Sequence, residues 1–435
     1  GIIAERSPGS TLKSALYAIG YERGFLTPGT MLLDVPIEIG GYEPENFDQK
    51  FYGLVSSEQA LVNSLNIPAV ELLNKVGVKD FIEFMESTGF KKISRNKEKL
   101  GLSLILGGCG VTLEELTSFY SLFANGGNLK ELKYLKNSDE ADEENIFTEA
   151  TAYVVAEILS GRQRNDMIVD YDYSKLPKFA YKTGTSYGKR DAWAIGFNPN
   201  FTIGVWVGNF NGSGSPYLTG AESAVPLLVD LFNAIDYQST TKWFAKPENV
   251  YTRDVCYESG LIPTEKCKNL VKELAIKNQS HNEYCNLHQK LFVNSDESIQ
   301  YCKECLPDKD YKQKVFSQIK PQLISWYKKN NIPFKSLPEH NPECPSKFKG
   351  YGPKIISPSE NYAYFVEVNS HQELMLLAAS NSEVKNHYWY VNDRFIKKCK
   401  AGEKIFYQPD VGKLKIVCMD DLGQTKYVRI TVNEY

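Results

Sequence analysis

Lys-Thr-Gly occurs once in this chain, at Lys182-Thr183-Gly184, within the first of three consecutive runs rich in β-branched and aromatic residues. The runs cover residues 179–185, 192–197 and 201–210, with turn-forming residues at 186–191 and 198–200 between them. That spacing predicts three antiparallel strands joined in sequence. Upstream the period changes. Leu12, Leu16 and Ile19 recur at helical spacing after Pro8-Gly9, so a helix is expected to start near Ser10. A second is expected over residues 58–76, with Pro68 as a break, and a third over 113–124, closed by Gly126-Gly127. Helices followed by a hairpin sheet predict an α/β (α+β) sandwich with an antiparallel sheet, not alternating βαβ units.

Two further patterns gain meaning only from order. A serine three residues before a lysine shares one helical face with it, so the lysine nitrogen can reach the hydroxyl. Ser-x-x-Lys begins at Ser10, Ser94, Ser186, Ser239, Ser317, Ser325, Ser346 and Ser382, and Ser-x-Asn at Ser64, Ser94, Ser280 and Ser359. With Ser94 set aside because it begins both patterns, requiring the first, then a separate second, then Lys-Thr-Gly leaves one solution: Ser10/Lys13, Ser64/Asn66 and Lys182/Thr183/Gly184. Each member sits where nucleophilic chemistry would use it. Ser10 opens a predicted helix, whose positive end faces its oxygen. Lys13 is one turn on, and Gly184 permits close backbone approach on a strand. Taken singly, Ser10 reads as a helix cap and the two lysines as surface charges.

The ordered set resembles the penicilloyl serine transferases, the penicillin-binding proteins and serine β-lactamases. Arg6-Ser7-Pro8-Gly9-Ser10-Thr11-Leu12-Lys13 is similar to the nucleophile segment of the class A penicillin-binding proteins, with Arg6 one place closer to the proline. Ser14 stands where that family commonly has proline. Ser64-Leu65-Asn66-Ile67-Pro68-Ala69-Val70 resembles their second motif. Lys182-Thr183-Gly184-Thr185-Ser186-Tyr187-Gly188 with Arg190-Asp191-Ala192-Trp193 resembles the third motif of the penicillin-binding protein 1C subgroup. The resemblance implies a transpeptidase fold with an antiparallel sheet and helical subdomain. It also implies strands and a glycosyltransferase domain upstream of this chain, which begins abruptly before its first motif.

The resemblance implies a mechanism. Ser10 attacks the carbonyl of a penultimate D-alanine, and Lys13, its basicity lowered by burial and by Lys182, takes the proton. Ser64 relays a proton to the leaving amine, and Asn66 positions the substrate amide. Lys182, Thr183 and Thr185 hold the terminal carboxylate, Gly184 lets the backbone approach, and the Ser10 and Thr185 N–H groups form the oxyanion hole. The partners implied are peptidoglycan stem peptides, β-lactams and other cell-wall synthesis proteins, at the periplasmic face of an inner membrane reached through an N-terminal anchor outside this sequence. Two alternatives stay open: a D,D-carboxypeptidase or β-lactamase-type hydrolase, and a non-catalytic cell-wall scaffold.

Composition constrains the rest. Fifty Lys and Arg against 53 Asp and Glu leave a net charge of −3, which offers no general attraction to nucleic acid or anionic membrane. Three parts are expected: 1–245 as the transpeptidase domain, 246–353 as an irregular, Cys-rich linker region with one helix near 311–330, and 354–435 as an immunoglobulin-like β-sandwich. Its strands are expected at 364–368, 373–379, 387–392, 404–408, 413–419 and 426–432, with Trp389 and Tyr390 in its core. The acidic stretch 138–145 reads as a solvated loop. Five of the nine cysteines lie between Cys256 and Cys305. Cys285-x-x-His288 and Cys302-x-x-Cys305 have zinc-ribbon-like spacing, which admits a structural zinc. An oxidising compartment favours disulfides instead, with Cys256–Cys267 and Cys399–Cys418 as candidate pairs. Cys109 reads as a small buried residue. No cofactor is expected for catalysis, since serine chemistry needs none.

Overall fold

Helix α1, Lys13–Glu22, has nine consecutive buried residues, Lys13 to Tyr21. A helix apolar or enclosed on every side has to lie within a core. A 3-10 turn, Gly9–Leu12, leads into it, so Ser10 precedes the α-helix proper, which was expected to start near that residue. These features come from a computed structural model describing all residues except 40, 136–142, 162–176, 345–351, 361, 367–371, 382 and 435. The chain divides into two compact units. The first comprises 1–32, 55–262 and 270–283, and the second 33–54, 263–269 and 284–435.

In the first unit, helices α2 (Ser57–Val62) and α3 (Asn66–Val76) replace the single helix expected over 58–76. The break is at residues 63–65, not at Pro68. Pro68 lies in the first turn of α3, where a missing N–H costs no intrahelical bond. Helix α4 is Val78–Ser87, α5 is Leu113–Ala124 and α6 is Glu149–Leu159. A capping box between Thr112 and Glu115 starts α5, and Gly126 and Gly127, both at positive φ, follow its end as expected.

Strands β1 (Ala180–Thr185), β2 (Asp191–Phe197) and β3 (Thr202–Gly208) form the expected antiparallel sheet, in that order, with Lys182 opposite Ile195 and Trp193 opposite Trp206. All seven residues of β2 are buried, which a central strand covered on both faces requires. Helix α7, Val225–Asp236, covers one face, where a side chain at Gly196 would run into Phe232 and Leu228. Helix α5 covers the other, where Thr117 fills the space above Gly204. The hairpin β4–β5 (Val250–Cys256 and Leu270–Ile276) completes this unit.

In the second unit, residues 284–340 are more regular than the sequence suggests. Strands β6 (His288–Val293), β7 (Ile299–Tyr301), β8 (Lys312–Ser317) and β9 (Glu339–His340) make one sheet in the order β8-β6-β7-β9, and α8 spans Pro321–Lys329. Few of these side chains are buried, so the apolar alternation that betrays a strand is weak. The C-terminal part is the two-sheet sandwich expected. β10 (Lys354–Ser357), β12 (Leu374–Ala379) and β15 (Ile405–Tyr407) form one sheet. The other has β11 (Ala363–Val366), β17 (Thr425–Glu434), β16 (Gly412–Asp420), β13 (Asn386–Val391) and β14 (Arg394–Lys400), in that order. Trp389, Cys399, Ile416 and Cys418 sit in the shared core, while Tyr390 is half-buried against Phe395. Residues 138–142 of the acidic stretch and 367–368 of an expected strand lie outside the described residues.

Candidate active site

Ser10 is the second residue of the 3-10 turn, half-buried, and the turn is capped by no side chain. Its hydroxyl is therefore not used as a helix cap, the commonest task of serine at such a place. The turn is seated directly on β1. Gly9, at φ +54°, brings its backbone so close that a Cβ there would lie 2.7 Å from the Thr185 nitrogen. A Cβ at Gly184 would collide with the Pro8 carbonyl oxygen and Thr11 Cγ2. Two glycines thus let the Ser10 turn touch the Lys-Thr-Gly strand backbone to backbone, with the Thr185 N–H beside the residue preceding Ser10.

Lys13 and Lys182 are both fully buried. Lys13 Nζ donates to the Ser64 carbonyl oxygen (2.7 Å) and to Asn66 Oδ1 (2.6 Å). Lys182 Nζ donates to Ser64 Oγ (2.7 Å) and the Thr183 carbonyl (3.0 Å). Ser64 therefore bridges the two cations, Asn66 holds Lys13, and the three sequence motifs meet in one place within the first unit. The Ser10 hydroxyl enters none of these four bonds.

Ser64 holds its place by a helix ending. Its N–H bonds the Leu61 carbonyl (3.2 Å), the Leu65 N–H bonds that of Ala60 (2.9 Å), and Ser64 itself has φ +57°. This is a Schellman ending of α2, with serine in the left-handed position that glycine normally takes. A side chain there costs about 1–2 kcal/mol. Such strain is characteristic of functional positions.

Strand alternation separates the third motif. Lys182 projects toward Ser64, while Thr183 and Thr185 share the opposite face with Ala192 and Ala194. Thr185 Oγ1 accepts from the Gly220 N–H at 2.9 Å, which leaves its own proton to donate. Among the described residues β1 is an edge strand of its sheet.

Several residues to which the sequence assigns no role fix the nucleophile segment. Trp193 Nε1 donates to the Ser7 carbonyl (2.7 Å), and Ser7 Oγ donates to the Gly107 carbonyl (2.7 Å). Tyr120 donates to the Thr11 carbonyl (2.6 Å) and lies 2.9 Å from Ser14 Oγ, so serine at the position where proline is common gains a buried polar neighbour. Arg6 lies over the Trp206 ring and 3.9 Å from Asp191, which accepts from Trp206 Nε1 at 3.1 Å. Nothing local marks Tyr120 or Trp206, since their partners are distant in sequence. Cys109 is partly exposed as a residue, yet its thiol is enclosed, and burial pushes it up to about 12.

None of the nine cysteines is in a disulfide, so neither the Cys256–Cys267 nor the Cys399–Cys418 pair exists here. The zinc-like spacing is also regrouped. Cys285 Sγ lies 3.3 Å from His288 Nδ1, and Cys267 Sγ 3.5 Å from the same nitrogen. Cys302 and Cys305 instead gather with His340 and Cys344, all four donor atoms within 4.8 Å of one another. The set Cys285, His288, Cys302 and Cys305 does not form one site. His340-x-x-x-Cys344 is the stretch of sequence that completes the second group.

Residues 2–224 match the penicillin binding protein transpeptidase domain, 246–290 the C-terminal domain of penicillin-binding protein 1A, and 343–430 the penicillin-binding protein C-terminus family. The chain is 29% identical to penicillin-binding protein 1C of Escherichia coli (strain K12) across 98% of its own length and 56% of that protein's. It is 30% identical to penicillin-binding protein 1A of Aquifex aeolicus (strain VF5) over 61% of its length and 38% of the relative's. It thus spans about half the length, or less, of these relatives. The crystal structure of penicillin-binding protein 1A from Haemophilus influenzae shares the fold over 65% of this chain and 49% of that one, with a TM-score of 0.54 at 19% identity. With the Ser10, Ser64 and Lys182 motifs meeting beside one strand, and with a family match covering half the sequence, this chain belongs to the penicillin-binding protein transpeptidase family.

Proposed function

We propose that this chain is a serine D,D-transpeptidase acting through a Ser10 acyl-enzyme, and that β-lactams acylate the same hydroxyl. What supports this reading most is the pair of buried lysines held on Ser64 and Asn66, beside the Ser10 turn. A weak nucleophile needs an adjacent base, and Lys13 lies one turn on from Ser10. Ser10 Oγ bonds to the penultimate D-alanine carbonyl carbon while its proton passes to Lys13. The Ser10 and Thr185 N–H groups take up the charge developing on the carbonyl oxygen, each worth about 3 kcal/mol of barrier. Ser64 passes its hydroxyl proton to the departing D-alanine amine and is reprotonated by the Lys182 ammonium bonded to it. The acceptor amine's proton later restores Lys182, while the one held on Lys13 returns to Ser10. An amine of a neighbouring stem peptide then displaces Ser10 from the acyl carbon.

The open edge of β1 suits an extended stem peptide laid as an added strand. Thr185 keeps a proton for its carboxylate. The proposed setting is extracytoplasmic, as the substrate requires. Among the described residues no helix is long and apolar enough to cross a membrane.

The test is turnover of a peptide ending in D-Ala-D-Ala by the purified chain, with an acceptor amine present, followed by mass spectrometry. A cross-linked product, lost in Ser10→Ala, is expected. Release of D-alanine with water as the only acceptor would reassign the chain to the carboxypeptidases.

A further inference from the structure

We propose that Cys302, Cys305, His340 and Cys344 form a structural zinc site in the second unit. Cys302 follows β7 directly, and Cys305 closes a tight turn. Its N–H bonds the Cys302 carbonyl (3.3 Å), while the Cys302 N–H points at Cys305 Sγ (3.3 Å). β9 delivers the other half. It pairs in parallel with β7, Gln300 opposite His340, and Gln300 Nε2 donates to the Pro338 carbonyl (2.7 Å). The Asn341 N–H donates back to the Gln300 carbonyl (2.9 Å), and the Cys344 N–H to that of Asn341 (3.0 Å), which curls Cys344 toward the turn.

The spacings match a metal better than a bond. Cys302 Sγ is 3.6 Å from both Cys305 Sγ and Cys344 Sγ, and Cys305 Sγ is 3.7 Å from His340 Nε2. Bonded sulfurs would stand about 2.05 Å apart. Around a tetrahedral zinc, with Zn–S about 2.3 Å and Zn–N about 2.05 Å, two sulfurs sit about 3.8 Å apart and a sulfur and nitrogen about 3.6 Å. Three thiols and an imidazole are also the wrong inventory for disulfides, which would strand one cysteine and use no histidine. Soft thiolates with one imidazole in a tetrahedral set favour zinc, and four protein donors leave no open position for chemistry.

The site has a structural reason. β9 has only two residues, and two cross-strand pairs are a weak hold on a segment joined to β7 by a long excursion. A metal bridging the turn after β7 to β9 fixes that segment, and three thiol protons leave as it binds. Cys267, Cys285 and His288 offer a second place of similar chemistry, so the experiment reads a difference between variants rather than a total.

The full chain, purified without chelator, is analysed for zinc by inductively coupled plasma mass spectrometry, alongside Cys305→Ser and His340→Cys. Wild type should hold zinc, Cys305→Ser should lose one equivalent, and His340→Cys should keep it. If Cys305→Ser does not fold, cobalt(II) exchange decides: wild type should show tetrahedral thiolate–cobalt bands that shift in His340→Cys. Equal zinc in wild type and folded Cys305→Ser would overturn the proposal. So would identical cobalt spectra for wild type and His340→Cys, or a Cys302–Cys305 disulfide in unreduced peptide maps.

Discussion

Ser64 carries two demands that pull in opposite directions. Its backbone occupies a position suited to glycine, while its hydroxyl takes the Lys182 ammonium. Ser64→Ala keeps the strain and loses the hydroxyl, whereas Ser64→Gly loses both. The glycine variant should therefore be more stable than the alanine variant by about 1 kcal/mol, measured by denaturant unfolding. Both should slow acylation by penicillin, by about 10²-fold if Ser64 acts in proton transfer. Equal stabilities would show that the left-handed backbone carries no strain. At this scale the sequence is generous, because the order of its motifs, with the doubly matching Ser94 set aside, singles out Ser10, Lys13, Ser64, Asn66 and Lys182. It is silent on Tyr120, because that hydroxyl acts on a carbonyl far along the chain and no local pattern encodes such a contact.

Between elements, the decisive contact is the Ser10 turn on β1. Gly184→Ala places a methyl group against Pro8 and Thr11, so the turn must shift. A loss of about 1–3 kcal/mol, typical of overpacking, is expected together with loss of penicillin acylation; thermal unfolding and intact mass would read the two effects. Another element-scale effect belongs to β13. His387 is fully buried there, with Nε2 2.8 Å from Ser380 Oγ. Burial holds its pKa below the ordinary value, with Asp421 opposing. The unfolded chain then takes up the proton first as pH falls. The stability this histidine supports is complete above about 6.5 and is lost as pH drops through its lowered folded value. Thermal melts between pH 7 and 5 should fall more steeply for wild type than for His387→Gln, and parallel curves would remove His387 from the account. Element types are legible where one face is apolar, as in β1–β3 and α5. β14 escapes a reading by periodicity because an exposed edge strand rich in lysine hides its period. Pro68 misleads because its meaning depends on its distance from the helix start.

The whole molecule assigns its tasks to different units. Every residue proposed for acyl transfer lies in the first, and the Cys302 cluster lies in the second. Removing metal with a strong chelator should lower the melting temperature while leaving the rate of penicillin acylation within about twofold, because zinc binding is folding free energy for the segment it ties. Matched loss of acylation would mean that the metal supports the first unit as well. The cysteine cluster is the least legible part at this scale, since spacing alone pairs Cys285-x-x-His288 with Cys302-x-x-Cys305. The parallel pairing of β7 with β9 brings in His340 and Cys344 instead. The central claim, that Ser10 is the acylated nucleophile, is tested most directly by intact-mass spectrometry of the chain and of folded Ser10→Ala after incubation with penicillin. A single stable adduct on wild type, absent from Ser10→Ala, is predicted; an unmodified wild type, or an equal adduct on the variant, would contradict it.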